Sequence, residues 1–151
     1  MRIKKTSQTT TTQAQVVDGY STSTIDSYSC NYANKCNTYS TNEIDTGKVW
    51  TDGKPIYRKV IEGTLPALTP SGGGTDDGNI AHGITNLDTI IQINGKLLYS
   101  NNWYFFPIIS SSGKITGIRG YTSTNITIRS SDTWDAGPSV KLIVEYTKTT
   151  D

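Results

Sequence analysis

Residues 48–63 constrain the fold more than any other stretch of this chain. They read Lys48-Val49-Trp50-Thr51-Asp52-Gly53-Lys54-Pro55-Ile56-Tyr57-Arg58-Lys59-Val60-Ile61-Glu62-Gly63. Asp52-Gly53 supplies the positive φ that a tight turn needs. Lys54 precedes a proline, whose ring pushes it out of the helical region and into an extended one. Ile56 to Glu62 then brings β-branched and aromatic residues, which suit a pleated, half-buried surface. A turn feeding a strand over residues 55–63 is expected. No nucleophile, base or ligand cluster lies nearby, so the segment points to architecture and assembly.

The far end carries the same signature. Val140, Leu142, Val144 and Tyr146 fall on one face of an extended segment, with Lys141, Glu145 and Thr147 on the other. Between the two, residues 64–79 read as a long loop with Pro66, Pro70 and Gly72-Gly73-Gly74, and residues 84–93 as mostly extended. Asn94-Gly95, flanked by Ile91, Ile93, Leu97 and Leu98, predicts a hairpin turn. Residues 103–109 form a buried-type apolar run, and Pro107 places its end at an edge or a bulge. Ser110-Ser111-Ser112-Gly113 is a turn signal, residues 115–121 and 125–129 are short strands, and residues 131–138 are a loop. Short strands separated by turn signals every 8–12 residues or so predict an all-β antiparallel sandwich.

Residues 1–46 differ from the rest. They are rich in Ser, Thr, Gln, Asn and Tyr, with Ile3, Val16, Val17, Ile25 and Ile44 as the few aliphatics. Such a tract buries too little apolar surface to hold a compact fold alone. It does carry Tyr20, Tyr28, Tyr32 and Tyr39, and tyrosine offers large contact area at modest entropic cost. The region reads as an anchoring arm that orders on a partner or on sister chains. A short helix near residues 24–34, capped by Ser23 or Thr24, is expected within it. Residues 47–151 are then the β domain.

Composition narrows the function classes. Only 34% of the 151 residues are hydrophobic and 18% charged, which fits oligomers stabilised by subunit contact. Net charge is +1, and Arg2, Lys4 and Lys5 form the one basic run, so no nucleic-acid footprint is expected. Thr6-Ser7-Gln8-Thr9 follows those charges where a secretory signal would place apolar residues. No stretch approaches the roughly 20 apolar residues that span a bilayer. Cys30 and Cys36 lack C-x-x-C spacing; buried reduced thiols are preferred to a local disulfide.

Candidate chemistry is sparse. His82 is the sole imidazole and has no partner at triad-like spacing, so a hydrogen-bonded structural histidine at a strand start is preferred. Asp76-Asp77-Gly78-Asn79 offers oxygens for Ca²⁺ but lacks the spaced loop and distant Glu, so a solvated turn is preferred. Asp132 and Asp135 flank Trp134, a carboxylate pair that glycoside hydrolysis would need in a cleft. Trp50, Trp103, Tyr104 and Trp134 suit either a sugar-stacking platform or core and subunit packing, the latter preferred. Asn125-Ile126-Thr127 matches a glycosylation sequon and reads as a strand. No catalytic, cofactor-binding or metal-binding residue is assigned, and no cofactor is expected.

Tyr39-Ser40-Thr41-Asn42-Glu43, followed by Gly47-Lys48-Val49-Trp50-Thr51-Asp52-Gly53-Lys54-Pro55-Ile56-Tyr57-Arg58-Lys59, resembles the start of a domain recurrent in bacteriophage tail-fibre, head-fibre and receptor-binding proteins. His82-Gly83-Ile84, Asn86-Leu87-Asp88 and Leu142-Ile143-Val144-Glu145-Tyr146-Thr147-Lys148 continue the resemblance in order over roughly residues 39–151. The tract from Tyr20 to Tyr32 also resembles what precedes that domain. The resemblance implies a non-enzymatic virion-surface component, usually a homotrimer, with a distal β head and no cofactor. Many members carry the head on a long shaft, whereas this chain starts just ahead of it. A stubby head fibre is therefore expected first and a short tail or baseplate tip next. The arm would dock on a capsid or tail protein, through Tyr20, Tyr28, Tyr32 and Tyr39. Loops 64–79 and 130–138 would meet host glycans, and the face bearing Trp103, Tyr104, Phe105 and Phe106 would meet sister subunits. A small monomeric carbohydrate-binding module is the alternative from another class, and a depolymerase a third.

Overall fold

A computed structural model describes residues 16–17, 20–21, 37–135 and 137–150. The chain divides into two compact units, Met1–Asn34 and Lys35–Asp151. In the first, β1 (Val16–Val17) pairs antiparallel with β2 (Tyr20–Ser21). Arg2, Lys4, Lys5, Tyr28, Tyr32, Cys30, Cys36 and the helix expected near residues 24–34 lie outside the described residues, as does the Tyr20 side chain.

The second unit is all-β and has two antiparallel sheets in a sandwich-like arrangement. Its strands are β3 (Ile44–Val49), β4 (Pro55–Thr64), β5 (Asp76–Ala81), β6 (Leu87–Tyr99), β7 (Asn102–Phe105), β8 (Ile108–Ile109), β9 (Ile115–Tyr121), β10 (Asn125–Ser130) and β11 (Ser139–Lys148). The larger sheet runs β3-β4-β11-β6-β7 and the smaller β5-β10-β9-β8. The expected turn at Asp52-Gly53 joins β3 to β4, with Gly53 at φ 86° and Trp50 N–H donating to the Lys54 carbonyl at 2.8 Å. β11 alternates as its sequence predicts: Val140, Leu142, Val144 and Tyr146 are no more than 1% exposed. They face Ile80, Ile126 and Ile128 of the smaller sheet within one core. Each such aliphatic burial stabilises the fold by about 1.5–3 kcal/mol.

Four segments fold differently from expectation. Asn94-Gly95 is no turn; it lies inside the 13-residue strand β6. A Cβ on Gly95 would clash with Leu142 Cδ2 and meet Phe106 Cδ2 at 3.2 Å, so the glycine serves close packing. The hairpin turn falls instead at Ser100-Asn101, with φ 47° and 63°, two successive positive values as in a type I′ turn. Residues 76–79, expected in a loop, open β5; Gly78 and Ile80 point inward, and Gly78 leaves room for Leu65 Cδ2, which a Cβ would meet at 2.7 Å. The apolar run 103–109 is divided between two edges, β7 of the larger sheet and β8 of the smaller, and Phe105 and Ile109 are 72% and 69% exposed. Finally, Ile44–Val49 supplies β3 although it buries little beyond Thr46, whose hydroxyl donates to the Ile56 carbonyl at 2.7 Å.

Candidate functional site

Cross-strand register lays out the outer face of the larger sheet. β4, β11 and β6 contribute Glu62, Lys141 and Lys96 as one row, which Phe105 of β7 extends. The next row is Val60, Ile143 and Asn94, and the third Arg58, Glu145 and Gln92. On the other flank, Thr64, Ser139, Leu98 and Trp103 form a fourth. Aliphatic side chains thus occupy the middle of this face, with charges and aromatic rings around them.

Tyr39 lies over this face. Its ring centroid is 4.8 Å from the Arg58 guanidinium carbon, and the residue is 58% exposed. Arg58 is held flat by Glu145, to which its Nε donates at 2.9 Å, and by the Thr38 carbonyl. Ser40 fixes the preceding chain, its carbonyl accepting the Val60 N–H at 2.7 Å. Glu43 accepts from the Tyr146 hydroxyl and from Lys148. Burial pushes the Tyr146 phenol far above its ordinary range, and the Glu43 carboxylate adds to the shift. Residues 39–43, part of the motif behind the fibre resemblance, therefore act as a clasp on the β domain.

A groove of about 470 Å³ opens between Tyr39 and Phe105, floored by Val60 and Ile143 and bordered by Lys96 and Lys141. A second hollow of about 240 Å³ shares Tyr39, Asn94 and Ile143 with it and reaches Lys48 and Gln92. The volume of the first lies within the range of small-ligand sites.

The sequence-selected residues are dispersed. Trp103 is 38% exposed on this face, with the Lys96 ammonium 4.3 Å from its ring centroid. Trp50 sits at the β3–β4 turn, equally exposed. Tyr104 points inward and packs edge-on against Trp134 at 5.8 Å. Trp134 is 6% exposed, and its indole N–H donates to the Thr116 and Ser130 hydroxyls at 3.0 Å each. It therefore presents no ring face to solvent. The four aromatics form no shared platform, and the subunit-contact face proposed from residues 103–106 retains only Trp103 and Phe105 as exposed side chains.

The two loops singled out for adhesion meet each other. Leu68 and Trp134 pair through their backbones at 3.1 and 2.8 Å, closing one end of the sandwich over buried Leu65 and Leu68. His82 is a buried structural residue: Nδ1 accepts the Ile84 N–H at 3.0 Å, so Nε2 carries the proton toward the Thr122 carbonyl at 3.2 Å. Asp77 pairs with Arg129 and Arg119 at 2.7 Å each. The hydrogen bond from Arg129, aided by both guanidinium charges, holds its carboxyl below the usual carboxylate range. Asp132 pairs with Lys114 at 3.3 Å. Among the described residues, no group of three or more His, Cys, Asp or Glu could hold a metal ion.

The lateral edges of the sandwich differ. On one side, edge-strand amides are covered by their own neighbours' side chains: Asp45 accepts from Gly47 N–H, Thr46 from Lys48 N–H, and Asp76 from Asp77 N–H. On the other, two residues separate β7 from β8, and among the described residues no side chain bonds to the backbone of either strand. Phe105, Ile109 and Ile115 are exposed there, Ile109 and Ile115 as a cross-strand pair. No family model, curated protein or solved structure matches the chain.

Proposed function

We propose that this chain is a non-enzymatic bacteriophage virion protein, a short homotrimeric fibre or decoration with a β head. Attachment to the capsid is favoured over attachment to the tail or baseplate. The part of residues 1–46 that precedes the clasp anchors it to a particle protein, and the heads associate through the β7–β8 side. One observation carries the reading. Among the described residues no side chain bonds to the backbone of either strand on that side, beside the exposed pair Ile109 and Ile115, whereas natural edges normally carry charges, bulges or caps against pairing. A second copy of the chain would cover it, and symmetric repetition would turn three weak anchors into a strong one. The outer-face groove, still open to solvent, gives the head a place to adhere to a surface.

Sedimentation equilibrium of the full chain tests this. The expected mass is three times 16.5 kDa. The double variant Ile109→Lys, Ile115→Lys should sediment as a folded monomer. A monomeric parent chain would overturn the trimer and favour an isolated binding module.

A further inference from the structure

We propose that the groove between Tyr39 and Phe105 binds an anionic saccharide, with the ligand's acid group seated between Lys96 and Lys141. The proposal deepens the adhesive part of the function above and does not depend on the trimer.

Three observations support it. Lys96 and Lys141 stand directly opposite each other on neighbouring strands. Like charges in that position oppose sheet formation. Glu62 neutralises Lys141 at 2.7 Å, but among the described residues Lys96 has no carboxylate partner and rests on the Trp103 ring. The aromatic ring leaves that second ammonium without a counter-charge, which an incoming anion would supply.

The groove's walls name the rest of the ligand. Tyr39 and Phe105 are exposed rings on either side of an aliphatic floor, and the apolar C–H face of a sugar stacks on such rings. Asn94 and Gln92 lie in the adjoining rows, and their amides both donate and accept, as vicinal hydroxyls require. Across the two hollows Lys48, Arg58, Lys96 and Lys141 meet two carboxylates, Glu145 held by Arg58 and Glu62 by Lys141, so that among the described residues Lys48 and Lys96 are the cations without a carboxylate. The local field is therefore positive on a chain whose net charge is only +1. An extended polyanion such as single-stranded nucleic acid would need a longer basic track than this.

The test is a binding titration of the full chain against a panel of carboxylated and phosphorylated oligosaccharides. Each is paired with its uncharged counterpart, for instance trigalacturonate and its methyl ester. At millimolar concentration at least one acidic sugar should bind, its neutral counterpart about tenfold more weakly. Lys96→Met should weaken binding by a similar factor, and Phe105→Ala should weaken acidic and neutral sugars alike. The carboxylate and phosphate arms identify which acid the site prefers. Lys96→Met should also unfold at or above the parent's temperature, because the like-charge pair is relieved. The proposal is overturned by an empty panel, by equal binding of neutral sugars, by indifference to Lys96→Met, or by tighter binding of tripolyphosphate, oligothymidylate or triglutamate. Sedimentation of the same samples reads the trimer separately, so one reading can fail without the other.

Discussion

The two lateral sides of the sandwich solve the same problem differently. Any open sheet has edge strands with unpaired amides and carbonyls. On the β3–β5 side, Asp45, Thr46 and Asp76 turn back onto nearby amides, and Gly47 at φ 73° breaks the regular register. These short polar side chains compete with the ladder for its donors, which closes the edge to another strand. On the β7–β8 side no such bond occurs among the described residues, and the exposed side chains beside the edge include large apolar ones. The difference lies in residue choice rather than in fold, because both sides end in short antiparallel strands. A closed edge costs nothing to expose, whereas the open one is a surface that a partner would cover.

That comparison can be broken or sharpened, beginning with the largest effect. Arg58→Ala should destabilise the domain by about 3–5 kcal/mol in urea unfolding, since it strands the part-buried Glu145 and removes the cation beneath Tyr39. A loss below about 1 kcal/mol would mean that the clasp on the closed side contributes little. Gly95→Ala places a methyl against Leu142 and Phe106 and should cost about 1–3 kcal/mol. A neutral result would show that the open side is loosely packed down to its core.

A pH experiment probes the smaller sheet. Asp77 has its folded-state pKa lowered beneath the ordinary 3.8 by Arg129. Its contribution is complete above that ordinary value and is lost as pH falls through the folded one, because the unfolded chain takes up the proton first. Asp77→Asn should therefore lower the urea midpoint at pH 7, and the gap from the parent should narrow toward pH 3. A constant gap would exclude the ion pair as its source. The smallest effect on stability comes from the open edge itself. Ile109→Lys should alter the unfolding free energy by no more than about 0.5 kcal/mol while reducing association in sedimentation. A large loss of stability with no change in mass would assign Ile109 to the fold and not to a contact.

The strands that were legible in sequence are those whose alternation has a buried face. β11 and β4 could be read residue by residue because Val140, Leu142, Val144 and Ile61 contribute to one core. β3 could not, because it holds by backbone pairing and by Thr46 rather than by aliphatics. Both glycine misreadings share a cause. In Asn94-Gly95 and Asp77-Gly78 the glycine signals a missing side chain, and in each the space belongs to a leucine from another segment. Local sequence cannot tell that use from a turn. The true β6–β7 turn uses Ser100-Asn101, without the glycine that usually marks such turns. The groove was illegible for a related reason. Tyr39, Lys96, Phe105 and Lys141 come from four separate segments and meet only through register. Of the residues the sequence singles out, Tyr39, expected as a partner anchor, lines it, and Trp103, expected in a sugar platform or in packing, stands beside it.

One feature of the larger sheet bears on how the molecule is made. β11 lies between β4 and β6, so strands synthesised early are bridged only by one that emerges some 40 residues after β6 ends. Until then the β3–β4 and β6–β7 pairs each present one strand that still lacks the central neighbour between them. Copies emerging side by side on one message would be exposed to mispairing during that interval. The self-capped amides near the β3–β5 edge would then protect the nascent chain before they protect the finished one.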